Sequence, residues 1–143
     1  MAVPLLIFAE DDNEDWILVE DTLKECEDQC SVERVEDGEE LLARLEDDTK
    51  PTPSLVMLDL KMPRMDGSEA LQAIRASKRL RHIPVVIMTT SRTEADIFSA
   101  YSKGANSYVL KPVTFEAMKE VLKELHHYWL SVVALPNPLE GTP

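Results

Sequence analysis

Positive charge is what this chain has least of. Its 143 residues carry 15 Lys and Arg against 27 Asp and Glu, a formal net charge of −12. Nucleic-acid binding needs a basic stripe to neutralise phosphates, so this balance argues against it. Cysteine is also scarce: Cys26 and Cys30 stand four apart near the end of an expected helix. Two thiols without a second pair are too few for a structural zinc site. A cytoplasmic setting disfavours a disulfide, so they read as buried or half-exposed thiols. No apolar run approaches a membrane span. The start, Met1-Ala2-Val3-Pro4, lacks the basic region of a secretory signal. The expected location is the cytoplasm, away from membranes. No Ser or Cys nucleophile is set beside a His, which argues against acyl hydrolysis.

What is present is an ordinary soluble composition, 44% hydrophobic and 29% charged. The length suits one domain with one good core. We expect that domain over residues 1–135, with an extended last helix, a tail over 136–143 and no output domain.

Short apolar runs mark the strands: Leu5 to Ala9, the more alternating Ser31 to Val35, Leu55 to Asp59, Pro84 to Met88, and Tyr108 to Leu110. Such runs are strand-length and nearly all apolar, as in sheets covered on both faces. Helical patterns fill the gaps. Gly67 to Ala76 turns Leu71 and Ile74 inward. Thr93 to Tyr101 ends at a Lys103-Gly104-Ala105 cap. Thr114 caps a long last helix with Phe115, Met118, Val121, Leu122 and Leu125 spaced for burial. Strands alternating with helices give parallel βαβ units, an α/β doubly wound sheet.

Open α/β sheets do their chemistry at the carboxyl ends of their strands. The first strand ends at Glu10-Asp11, the third at Asp59, the fourth at Thr89 and the fifth at Lys111. Three clustered carboxylates repel one another and would raise at least one pKa. A hard divalent cation removes that problem, and all-oxygen ligands suit Mg²⁺ or Mn²⁺. One nucleophilic carboxylate, one metal, one ammonium and one hydroxyl suit phosphoryl transfer, where positioning and charge neutralisation dominate.

These pieces in this order resemble the receiver domain of two-component response regulators. They are Glu10-Asp11, the run Leu58-Asp59-Leu60-Lys61-Met62-Pro63-Arg64-Met65-Asp66-Gly67, Thr89 after Val85-Val86-Ile87-Met88, and Tyr108-Val109-Leu110-Lys111-Pro112. The resemblance covers Leu5 to about Leu125. It implies a flavodoxin-like sheet of order 2-1-3-4-5. It implies that Asp59 takes a phosphoryl group from a sensor histidine kinase or a small acyl phosphate. Asp11, Asp59 and the backbone carbonyl of Lys61 would ligate Mg²⁺, with Glu10 acting through water. Lys111 would hold a phosphoryl oxygen, beside a cis Lys111-Pro112 bond. Thr89 and Tyr108 would form the switch read on the helix 4, strand 5 and helix 5 face. Lys61 and Ser91 occupy the two positions that tune dephosphorylation. The resemblance makes the chain a phospho-accepting signalling protein, not an enzyme on an external substrate, though it takes part in its own phosphorylation and dephosphorylation. A phosphorelay intermediate or a phosphorylation-independent interaction module is the alternative.

Two departures from the family pattern matter. Glu10 stands where many relatives have Asp, a common variant that should still serve the metal. Thr90 stands where the family often has Ala, beside the entrance of the site, so slower entry of small phosphodonors is expected. Beyond Leu125 the stretch His126 to Leu135 carries two aromatics and several aliphatics. It either folds back over the domain or forms a dimer surface. Trp129-Leu130 with Leu135-Pro136, the Thr89-Thr90-Ser91 run and the Pro-containing approach to the third strand resemble single-domain regulators serving phytochrome-type kinases. A homodimer through helix 4, strand 5 and helix 5 is expected.

Two other classes fit less well. An Asp-nucleophile phosphatase usually needs an acid two residues beyond the nucleophile, where this chain has Lys61. A flavin module needs a Ser-, Thr- and Gly-rich loop after the first strand, where Glu10-Asp11-Asp12 would repel phosphate.

Overall fold

The computed structural model describes residues 3–26 and 30–136. Five strands alternate with five helices: β1 (Leu5–Ala9), α1 (Asn13–Lys24), β2 (Ser31–Val35), α2 (Gly38–Glu46), β3 (Leu55–Leu58), α3 (Gly67–Ala76), β4 (Val85–Thr89), α4 (Glu94–Ser102), β5 (Ser107–Leu110) and α5 (Phe115–His127). A π-helical turn, Tyr128–Val132, continues α5. All strand pairs are parallel, in the order β2-β1-β3-β4-β5. The expected order and architecture are therefore found.

Period-two alternation within nearly all-apolar strands builds two cores at once. Ile7, Val56, Leu58 and Ile87 face one layer with Leu41, Leu71 and Ile74. Leu6, Phe8, Met57, Val86 and Met88 face the other with Val19, Met118 and Leu122. Full burial of such side chains is worth roughly 1.5–3 kcal/mol each.

Caps fix the helix starts at the same edge of the sheet. Asp12, Asp37, Asp66, Thr93 and Thr114 each accept a hydrogen bond from a backbone N–H three residues on. Each cap thereby sets where its strand-to-helix loop stops. Gly104 takes φ 103° after α4, the left-handed stop that the Lys103-Gly104-Ala105 run predicts.

The tail partly folds back. Trp129 and Leu130 pack against the α1/α5 core. Tyr128 and Val132 remain exposed. His126 is buried and His127 exposed, as adjacent helical positions should be. Cys26 and Cys30 are half-buried thiols. No helix among the described residues is long and apolar enough to cross a membrane. Of the expected tail over 136–143, residues 137–143 lie outside the described residues.

Candidate functional site

The ladder delivers the site residues to one edge. Ala9 pairs with Leu58, and Thr89 with Leu110, so Glu10, Asp59 and Lys111 each follow a paired strand end. Backbone bonds hold them there: Glu10 N–H donates to Val35 O at 2.9 Å, Asp59 N–H to Ala9 O at 3.2 Å and Lys111 N–H to Thr89 O at 2.8 Å. One strand end differs from expectation by one residue: β3 stops at Leu58, which leaves Asp59 in the loop, while β4 ends at Thr89, which pairs with Leu110.

At the centre is the Lys111 ammonium, buried among carboxylates. It donates to Glu10 Oε1 at 2.5 Å, Asp59 Oδ2 at 2.8 Å and Asp15 Oδ2 at 3.0 Å. Burial alone would lower its pKa, but the hydrogen bonds to Asp59 and Glu10 outweigh it and hold the ammonium charged. For Glu10 burial prevails, and its carboxyl is raised above the ordinary value of 4.5 despite Lys111. Its other oxygen accepts from Asp12 N–H at 3.1 Å. The remaining oxygen of Asp59, Oδ1, accepts from Lys61 N–H at 3.1 Å.

One oxygen each of Glu10, Asp11 and Asp59 lies within 4.8 Å of the others. Asp11 is exposed, so this side of the cluster opens to solvent. Three carboxylates, Glu10, Asp15 and Asp59, contact the one ammonium, and Asp11 adds a fourth beside them. The residual negative charge and the all-oxygen donor set fit a hard divalent cation.

A second group of predicted residues sits behind the first. Thr89 is fully buried and its hydroxyl accepts from Ser91 N–H at 3.5 Å. The Tyr108 hydroxyl donates to Ser91 O at 2.9 Å, with its ring packed against the α2/α3 core. Burial raises the Tyr108 hydroxyl's pKa above 10.0. The Ser91 hydroxyl donates to Asp96 Oδ2 at 2.5 Å, and that bond lowers the Asp96 pKa. Lys61 and Thr90 are exposed.

One expectation is corrected. No cis peptide bond occurs among the described residues, so Lys111-Pro112 is trans, the form favoured even before proline by about 0.5–1 kcal/mol. Three contributors were not singled out by sequence: Asp15 on Lys111, Arg34, whose Nε donates to Glu10 O at 2.9 Å, and Asp96 on Ser91. Asp15 follows the Asp12 cap and reads as an ordinary first-turn acid. Arg34 stands opposite Phe8 in the β1–β2 register, the one available hint of its reach.

Residues 6–123 match the response regulator receiver domain family. The chain belongs to that family. Phosphoryl acceptance is the receiver family's general function. Among curated relatives, the probable methanogenesis regulatory protein FilR2 of Methanothrix harundinacea is 36% identical over 137 residues, covering 94% of this chain and 88% of its own. Response regulator Rcp1 of Synechocystis is 31% identical over 136 residues, covering 92% of each chain. The Mn²⁺-bound form of Rcp1 superposes with a TM-score of 0.89, at 31% identity over 94% of this chain and 99% of that one. The phosphorylated cyanobacterial phytochrome response regulator RcpA superposes at 0.90, with 33% identity over 95% of this chain and all of that one. A divalent-metal site in this receiver is compatible with both the Mn²⁺-bound relative and the acidic cluster. Histidine kinases are the implied partners.

Proposed function

We propose that this receiver takes a phosphoryl group on Asp59 from the phosphohistidine of a sensor kinase. Asp59 Oδ attacks phosphorus, the P–N bond breaks, and the histidine leaves with its electron pair and regains a proton from solvent. The product is an acyl phosphate on Asp59. The observation that carries this reading is the Asp59 carboxylate, placed at a strand end between the Lys111 ammonium and the Lys61 N–H.

Each neighbour has a part. Lys111 already holds Asp59 Oδ2 and is placed to take a phosphoryl oxygen instead. Glu10, Asp11, Asp59 and the Lys61 backbone carbonyl form the cation site, for Mg²⁺ or for Mn²⁺. The cation, when bound, neutralises charge on the transferring phosphoryl group. Thr89 and Tyr108 act as the switch, with Ser91 between them taking the Tyr108 hydroxyl on its carbonyl. Lys61 and Ser91, two positions beyond Asp59 and Thr89, tune loss of the phosphate.

The receiver spans 1–135 and works in the cytoplasm through protein contacts. We read its kinase as phytochrome-type, because the phytochrome response regulator RcpA superposes over 95% of the chain, and its oligomer as a homodimer through α4, β5 and α5. FilR2 carries a methanogenesis name at higher identity, so the kinase assignment needs its own test: transfer from a phytochrome kinase and not from an unrelated one.

Intact mass after incubation with Mg²⁺ and acetyl phosphate decides the central claim. The wild type gains one labile phosphoryl group and Asp59→Asn gains none. Equal behaviour of the two removes Asp59 as the acceptor.

A further inference from the structure

The loop from Asp59 to Gly67 is held at two places. Its own ends close it: Gly67 N–H donates to Leu60 O at 3.0 Å, and Lys61 N–H to Asp59 Oδ1 at 3.1 Å. Gly67 has no room for a side chain, since a Cβ would lie 2.2 Å from Asp59 O. The second hold comes from outside, from the loop between β2 and α2, which supplies none of the proposed cation ligands.

Arg64 is the point of that second hold. It is the one non-glycine residue with positive φ among those described, at 62°. Left-handed backbone costs such a residue roughly 1–3 kcal/mol and persists where the surroundings over-determine it. Its guanidinium Nη2 pairs with Asp37 Oδ2. The neighbouring Gly38 N–H donates to Met65 O at 2.9 Å. Asp37 is buried, and its other oxygen accepts from Glu40 N–H at 2.8 Å, capping α2. Gly38 lets the two loops touch: a Cβ there would lie 2.5 Å from Met65 O.

The pair is buried at Asp37 and open to solvent at Arg64, so screening at the arginine limits what it adds to stability. Arg64 is 61% exposed along its side chain, and a glycine would take φ 62° without strain. The strained arginine therefore points to placement of the loop it sits in. We propose that Asp37, Gly38 and Arg64 are positioning residues for the divalent-cation site, fixing the loop that carries the Lys61 backbone. This rests on the reading above that Asp59 and the Lys61 carbonyl hold the cation.

Mn²⁺ titration followed by electron paramagnetic resonance tests it, beside metal-free thermal unfolding and the Lys61 amide resonance in ¹⁵N NMR. Arg64→Gly deletes the pair and keeps the backbone. Asp37→Asn keeps the α2 cap, which Asn serves as well as Asp. Each should weaken Mn²⁺ binding about tenfold, the size expected when a group orienting a metal ligand is lost. The double variant should be no weaker than either single one. The Lys61 amide should shift without metal in both.

Wild-type affinity in both variants overturns the proposal, whatever their melting temperatures. So does a weakened affinity with an unmoved Lys61 amide. Failure of the wild type to bind Mn²⁺, or unchanged binding by Asp59→Asn, instead removes the underlying cation site, and this inference with it.

Discussion

The carboxyl edge of the sheet and the α4–β5–α5 face use their side chains in opposite ways. At the edge, Glu10, Asp59 and Lys111 are buried and bonded to one another. On the face, Phe98 is 76% exposed, Phe115 62% and Tyr101 50%. Charge is hidden where solvent would be kinder, and aromatic surface is shown where burial would be kinder. Both placements fit the proposed function, with a cation and phosphoryl group at the edge and a protein partner at the face. Ser91 joins the two regions, with the Tyr108 hydroxyl on its carbonyl and Asp96 of α4 on its hydroxyl.

The strongest test of the contrast is Lys111→Met. It leaves Glu10 and Asp59 buried together without a cation. Removing one partner of a buried charge pair costs about 3–5 kcal/mol, read from urea unfolding without metal. Mg²⁺ should stabilise this variant more than the wild type, because it replaces the lost charge. Equal gains from Mg²⁺ would break the comparison at its first term. Acid or mild alkali does not imitate the substitution. Lys111 has a folded pKa raised above 10.5, so its positive charge is kept below that value. It is lost only as the pH rises through the raised folded value.

The edge was far more legible in the sequence than the face. Strand ends can be read because an apolar run of four or five residues stops at a polar one, and helices of standard length return the chain to the same edge. That logic placed Glu10, Asp59, Thr89 and Lys111 together, and the structure joins three of them through one ammonium. It missed Asp15 and Arg34, whose roles depend on how long side chains bend over a loop. It missed Asp37 and Arg64, which meet across 27 positions through one ion pair. No periodicity carries such a contact. The Lys111-Pro112 expectation came from family resemblance alone, and there the chain differs.

The tail divides along the same line as the two regions. Trp129 packs on the α1/α5 core while its neighbour Tyr128 is about half exposed, the two rings meeting edge to face at 5.4 Å. Trp129→Ala should cost about 2 kcal/mol, roughly half of what a fully buried tryptophan loses. Tyr128→Ala should cost well under half of that. Equal losses would mean that the tail is a single packed unit and no part of it belongs to the exposed face.

The smallest effect on stability is expected at Phe98, and its smallness is the point. A phenylalanine 76% exposed contributes little to folding, so Phe98→Ser should change unfolding free energy by less than about 0.5 kcal/mol. The proposed homodimer predicts a different result for assembly. Aromatic side chains at the centre of an interface typically cost about 2 kcal/mol or more when truncated, some thirtyfold in dissociation constant. Light scattering across micromolar concentrations, with and without acetyl phosphate, should therefore show a dimer for the wild type and a monomer for Phe98→Ser. A wild type that stays monomeric in both conditions would leave the exposed face to a different protein. A Phe98→Ser variant that unfolds easily would place Phe98 with the buried edge instead.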